Sequence, residues 1–192
     1  SIVRSLTPDA GNVKTTGQSY ASSASYEIIV VDNNSRDDSV EMLENLKLKL
    51  ENSMKIENLK LKIIFNNDNT GFARAVNQGI KKSRGEYLLL LNSDTIVSPQ
   101  TLEKMIEFAR KKKDAGIIVP KLLDKNGKTS QPSCYHLPTI KGAIKEFWLG
   151  QKGAFGKYLP RGGNPVKPEA AVGASMLIPR AVYDVVGEFD EK

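Results

Sequence analysis

The chain has 192 residues, with 28 Lys and Arg against 22 Asp and Glu, one histidine and one cysteine. Such a length fits one domain, or one domain with a small appendage, with room for a buried core, and a net charge of +6 suits a polyanionic partner such as a nucleotide diphosphate, anionic lipid headgroups or nucleic acid. The lone Cys134 excludes an internal disulfide and fits a reducing compartment, no stretch approaches the 18 or so consecutive apolar residues of a membrane span, and no signal-peptide pattern opens the chain.

Residues 1–25 differ from the rest. They are rich in Ser, Thr, Gly and Ala, with Ile2, Val3 and Leu6 as strand candidates, which describes a flexible arm better than a core element. Residues 26–35, YEIIVVDNNS, then read as a strand centred on Ile28, Ile29, Val30 and Val31 that ends in an acid, Asp32. The polar turn DNNSRDD follows, and Asp38 or Ser39 caps a helix carrying Val40, Leu43, Leu46 and Leu50 at spacings of three and four. Residues 51–60, with Met54, Ile56 and Leu59, extend that helix or form a long loop. LKIIF at residues 61–65 is a short strand. An Asn-rich loop bends at Gly71 and leads into a helix with Phe72, Ala73, Val76 and Ile80 on one face.

Residues 85–95, GEYLLLLNSDT, change character within two positions. Four consecutive leucines, Leu88 to Leu91, predict a strand covered on both sides. Asn92, Ser93 and Asp94 come directly after it. In open α/β sheets ligands collect outside the carboxyl ends of the strands, so Asp94 is placed to meet one, although an acid there also serves as a helix cap. The second strand of the same design favours the ligand reading, because Asp32 and Asp94 would then reach one edge of one sheet.

Residues 98–113 predict a helix with Pro99 in its first turn and Leu102, Met105, Ile106 and Ala109 inward, followed by a strand over residues 117–119. Residues 125–128, KNGK, predict a hairpin turn with two residues at positive φ. Cys134 and His136 point the same way on a strand, but the pair reads as incidental rather than catalytic. Residues 139–169 mix glycine and proline with Phe147, Trp148, Phe155, Tyr158 and several cations. Such a loop suits a sugar acceptor or a membrane surface, or tucks its aromatics into the main core. Residues 171–178 return to strand character, and Pro179 opens a helix with Val182, Val185 and Val186 on one side.

Four segments, EIIVVDNNSRDDS, NTGFARAVNQGIKKSRGEYLLLLNSDT, VPKLLDKNGKTSQPS and AVGASMLIPRAVYDVVGEFDE, resemble in order the family 2 glycosyltransferases, in particular their rhamnosyltransferase-like branch. The resemblance implies an α/β, GT-A (Rossmann-like) nucleotide-sugar-binding fold over residues 26–192, with a mostly parallel central sheet flanked by helices, a small hairpin and one late antiparallel strand. It implies inverting transfer of a rhamnose-like or other hexosyl group from a dTDP- or UDP-sugar to a cell-surface polysaccharide or lipid-linked acceptor. It also implies work at the cytoplasmic side, with peripheral membrane contact and no nucleic acid. A non-catalytic nucleotide-sugar-binding module is the alternative.

By similarity, Asp32 accepts the imide N–H of the base, with Asn34 in the same loop, and Arg74 offers its donor fork to base or phosphate oxygens. Asn69 and Asn77 flank it, and Gly71 allows close backbone approach. Asp94 is the ligand for a divalent metal, Mg²⁺ or Mn²⁺, while Asn92 stands where the family's Asp-x-Asp motif often has its first acid, with Ser93 between, which weakens the ion's grip or shifts that contact to ribose. Gly173, Ala174 and Ser175 mark the acceptor side. The resemblance places the catalytic base beyond Lys192 and an opening strand where residues 1–25 are atypical, so the domain is expected to be incomplete at its C terminus and inactive in transfer by itself.

Overall fold

The computed structural model describes residues 2–7, 25–51, 59–128, 130–152, 154–160 and 162–192. The elements run β1 (Ile2–Thr7), β2 (Ser25–Asp32), α1 (Ser39–Glu51), β3 (Leu59–Phe65), α2 (Phe72–Lys82), β4 (Tyr87–Leu91), α3 (Thr101–Lys111), β5 (Cys134–Tyr135), α4 (Ile140–Ala143), a π-helical turn (Ile144–Trp148), β6 (Lys157–Tyr158), β7 (Ala170–Ala171), β8 (Ser175–Pro179) and α5 (Arg180–Val186). They divide into two compact units, Ser1–Ile118 with Ala174–Lys192, and Val119–Gly173.

The first unit is built on a sheet in the order β3-β2-β1-β4-β8, and β4 explains its layering. Leucine is a good helix former, but ordinary residues differ in helix propensity by at most about 0.7 kcal/mol. Fully burying one leucine side chain is worth about 2 kcal/mol. Burial therefore decides, and all five residues of β4 are buried. Leu88 and Leu90 pack with Ile29, Val31, Ala75, Val76, Ile80 and Ile178, while Tyr87 and Leu89 pack with Met105, Ala109, Ile118 and Leu177. Successive strand residues point to opposite faces, so α2 covers one face of the leucine run and α3 the other.

β2 and β3 pair parallel, whereas β1 is antiparallel to both β2 and β4, and β8 is antiparallel to β4. The three strands β2, β3 and β4 thus share one direction, but the sheet is mixed where a mostly parallel one was expected. A parallel β1–β2 pair would need a crossover, usually a helix, and the sequence between Thr7 and Ser25 lacks the apolar side chains to pack one. Of the segment 1–25, read from its composition as an arm, Ile2–Thr7 supplies the middle strand. Ser1 and residues 8–24 lie outside the described residues, as do residues 52–58 with Met54 and Ile56.

Several boundaries move for identifiable reasons. α3 starts at Thr101 rather than 98, because Gln100 sits at φ 62° and a left-handed residue cannot belong to a right-handed helix. Pro99 therefore lies in the turn before it. The strand expected at 117–119 is a single bridge between Ile118 and Leu177, since Pro120 has no N–H to extend the ladder. Phe72, Val185 and Val186 are exposed rather than inward. On α2, Ala75 joins Val76 and Ile80 inside, and at α5 Val182 packs on the core as expected, joined by Tyr183 and Phe189 in place of the two exposed valines. The stretch 171–178 is two strands, β7 and β8, with a turn at Gly173 and Ala174 between them.

The second unit holds the sheet β6-β5-β7. Its hairpin turn forms as expected, but with one residue at positive φ instead of two. Gly127 has φ 67°, its N–H donates to the Asp124 carbonyl at 2.9 Å, and the Asp124 carboxylate accepts from the Asn126 and Lys128 N–H groups at 3.1 and 3.2 Å. That is a type I turn with glycine last. Cys134 is buried, and His136 stacks on Tyr158 with ring centroids 4.4 Å apart.

Candidate functional site

The rim at the carboxyl ends of β2, β3 and β4 follows from register. Ile2 pairs with Val30 on one side and Leu91 on the other, so Val30 is level with the last residue of β4, and Asp32, two residues further on, is level with the turn that follows β4. Two strand spacings, about 10 Å, separate them. Asp32 pairs with Phe65 in β3, and the Asn66 N–H donates to the Asp32 carbonyl at 2.9 Å. Asp32, the Asn-rich loop after β3 and the Asn92–Asp94 turn after β4 thus belong to one edge.

Asp32 is buried to 6% exposure. Its carboxylate accepts from the Ser35 N–H at 3.1 Å and from the Ser35 hydroxyl, which shapes the DNNS turn and leaves half of a carboxylate's roughly four acceptor positions. Asn34 takes φ 63° at the apex, a conformation asparagine tolerates better than most residues. The sequence's other buried acid in β2, Glu27, lies near the opposite end of the strand, where its carboxylate meets the Lys62 ammonium at 2.8 Å and the Arg84 N–H. That contact is structural.

Sequence reasoning passed over Asn33, which joins the two loops. Its amide nitrogen donates to the Asn69 side-chain oxygen at 2.7 Å and the Gly71 carbonyl at 3.3 Å. Its oxygen accepts from the Thr70 N–H at 3.1 Å, the Thr70 hydroxyl at 3.0 Å and the Asn66 amide at 3.0 Å. Asn66 and Gln78 add a reciprocal amide pair at 2.9 and 3.1 Å. The available signal was two Asn-rich loops after two neighbouring strands. Gly71 opens α2 at φ 83° with nothing within 4 Å of where a Cβ would stand, so its need for glycine is conformational.

Arg74 and Asn77, expected at the nucleotide, face the chain's last residues instead. The Arg74 guanidinium bonds the Glu191 carboxylate at 3.0 Å. Asn77 is 1% exposed, and it donates to the Phe189 carbonyl and to Glu191 at 2.9 Å each while accepting from the Phe189 N–H at 3.0 Å. Both amide hydrogens are used, which corrects the flanking role expected of Asn77. These two bonds hold the Glu191 carboxyl below its ordinary value, the Asn77 amide contributing most and Arg74 next. One helical turn on, Lys81 pairs with Glu188 at 2.9 Å, and that contact raises the Lys81 ammonium.

Asn92, Ser93 and Asp94 are exposed. The Asn92 N–H donates to the Ala174 carbonyl at 3.0 Å, and Leu91 pairs with Ser175, so Ala174 and Ser175 lie beside this turn. Gly173 belongs to the second unit. Among the described residues no group of three or more His, Cys, Asp and Glu could hold a metal. Mg²⁺ commonly takes one or two carboxylates and completes its shell with substrate phosphates and water. An exposed Asp94 fits a cation that arrives with a diphosphate, not one resident in a protein cage.

The sequence profile described as Glycosyl transferase family 2 matches residues 15–160. The chain belongs to glycosyl transferase family 2. This family 2 chain is 32% identical over 98 residues to an uncharacterized glycosyltransferase of Haemophilus influenzae, covering 51% of its own length and 35% of that protein. It is 35% identical over 103 residues to the poly(ribitol-phosphate) beta-glucosyltransferase of Bacillus spizizenii, covering 54% and 15%. With the poly-beta-1,6-N-acetyl-D-glucosamine synthase of Staphylococcus epidermidis it shares 27% identity over 121 residues, covering 62% and 27%. It thus spans about a third or less of the length of these relatives. A solved structure, S. aureus TarS 1-349, aligns over 85% of this chain and 41% of that one, with a TM-score of 0.48 and 18% identity. The α/β architecture is of the GT-A class that goes with the family.

Proposed function

We propose that this family 2 chain carries the donor-binding part of an inverting glycosyltransferase that takes a rhamnose-like or other hexosyl group from a dTDP- or UDP-sugar. The acceptor is a cell-surface polysaccharide or a lipid-linked precursor, met at the cytoplasmic side of the membrane. The observation that carries the reading is the shared rim, with Asp32 at the end of one strand level with the Asn92–Asp94 turn that follows another strand of like direction.

In this reading Asp32 accepts the base N–H with the lone pairs that Ser35 leaves. Asn34, Asn69 and Gly71 line the nucleotide from the two bridged loops, Asn92 and Ser93 meet the ribose, and the Arg74 guanidinium lies beyond them on α2. Asp94, together with the diphosphate oxygens, would hold Mg²⁺ or Mn²⁺, which supplies charge neutralisation to the leaving group. Gly173, Ala174 and Ser175 border the acceptor side, where small side chains leave room for a sugar.

Calorimetric titration of UDP and dTDP with and without Mn²⁺ tests this. The expected result is weak binding that Mn²⁺ strengthens, with the Mn²⁺ increment lost in Asp94→Ala and most binding lost in Asp32→Ala. Absence of binding by the wild type, or binding indifferent to both substitutions, would defeat the reading.

A further inference from the structure

We infer that the second unit carries a docking surface for an anionic lipid bilayer, formed by α4 and the π-helical turn. Ile140, Ile144, Phe147 and Trp148 fall at i, i+4, i+7 and i+8, one face of a helix. They are 83%, 47%, 70% and 85% exposed, although large apolar side chains gathered on one face are normally covered.

The opposite side of the same helix is fastened down. Thr139 caps its start, accepting from the Gly142 N–H at 3.0 Å. Gly142 is buried, and a Cβ there would stand 2.8 Å from the Ala154 carbonyl oxygen, so the returning chain lies directly against it. The Glu146 carboxylate accepts from the Phe155 and Gly156 N–H groups at 2.6 and 2.8 Å. Gly142 and Glu146, spaced i and i+4, thus turn the apolar stripe outward by construction.

Charge names the occupant. Residues 139–169 contain Lys141, Lys145, Lys152, Lys157, Arg161 and Lys167 against two acids, Glu146 and Glu169, and both acids accept from backbone N–H groups, Glu146 from Phe155 and Gly156 and Glu169 from Leu137 at 2.7 Å. Lys141 and Lys145 each follow an exposed isoleucine, about 100° round the helix, so cations flank the apolar stripe. Exposed Trp and Phe beside lysines are what the boundary between headgroups and acyl chains accommodates. A second copy of the chain, with a net charge of +6, would be repelled by this cationic face as a whole, whereas an anionic bilayer attracts it. The inference stands whether or not the chain transfers sugar.

Trp148 is the chain's one tryptophan, so its emission reports on this surface alone. The chain is titrated with vesicles of phosphatidylcholine and phosphatidylglycerol in equal parts, and with pure phosphatidylcholine. The expected result is a blue shift with the mixed vesicles, quenched by brominated acyl chains, and partitioning weaker by at least on the order of thirtyfold when K141E and K145E are combined, since loss of each lysine charge alone is worth roughly fivefold and reversal adds repulsion. F147S is expected to weaken partitioning to both vesicle types, with far-UV circular dichroism confirming the fold of each variant. Unmoved emission with mixed vesicles, or a shift indifferent to the lysine reversals, overturns the inference. So does a lipid-free shift that grows with protein concentration alongside dimers in sedimentation. The nucleotide titration run on the same samples separates this outcome from the fate of the donor-site reading.

Discussion

Asn77 and Phe189 are joined by a reciprocal pair of hydrogen bonds, amide to carbonyl at 2.9 Å and N–H to amide oxygen at 3.0 Å. A side chain in the middle of α2 thereby offers the chain after α5 the pairing that a neighbouring strand would. Removing it leaves partly buried backbone groups without partners, a cost of about 2 kcal/mol. Asn77→Ala is therefore expected to lower unfolding stability in urea by that amount. Asn77→Asp should cost more at neutral pH, because it sets a second carboxylate against Glu191.

The same clasp responds to pH at both ends. The folded Glu191 carboxyl is depressed, first by Asn77 and then by Arg74. Its contribution is complete above the ordinary carboxyl value of about 4.3 and is lost as pH falls through the lower folded value. Lys81 is raised by Glu188, so its contribution is complete below about 10.4 and is lost as pH rises through the higher folded value. A fluorine label on Phe189 should hold one resonance between these limits and move at each end. In Arg74→Ala the acid midpoint should rise toward the ordinary value, and an unchanged midpoint would count against the assignment.

Asn33 bridges two loops that no backbone strand pairing connects. Asn33→Ala is expected to reduce stability by about 1 kcal/mol, because water replaces part of what is lost at an exposed site. Its larger effect falls on UDP or dTDP affinity, roughly tenfold weaker as the loops lose their preorganisation. Calorimetry beside thermal melting separates the two. A variant that melts lower but binds as before would assign Asn33 to folding alone.

Leu89 is fully buried between β4 and α3. Leu89→Ala should cost about 3 kcal/mol through lost burial and a residual cavity. Leu46, 41% exposed on α1, should cost well under half of that on truncation. Chemical denaturation of both variants tests whether the leucine run is a core strand.

The buried run at Leu88 to Leu91 was legible in the sequence because hydrophobic burial outweighs propensity and needs no knowledge of partners. The polar turns after β2 and β4 were legible for the complementary reason, an abrupt change of chemistry at a strand end. The direction of β1 was not, because residues 2–7 read the same in either orientation and the neighbours that decide it are distant in sequence. The partners of Arg74 and Asn77 were not legible for a related reason. Their helix was recognised, but a helix face says nothing about which remote segment lies along it, and Phe189 and Glu191 are more than a hundred positions away. Asn33 was missed because an asparagine among asparagines has no periodicity to single it out.

The interior position of β4, paired on both sides, also shapes how the chain acquires its structure. Its two neighbours are β1 and β8, each more than eighty positions distant along the chain, whereas β2 and β3 lie much closer together. Contacts between distant segments form slowly, so a ribosome emitting this polypeptide exposes four leucines with one side unzipped until Ser175–Pro179 has emerged. That interval is when a chaperone has most to do.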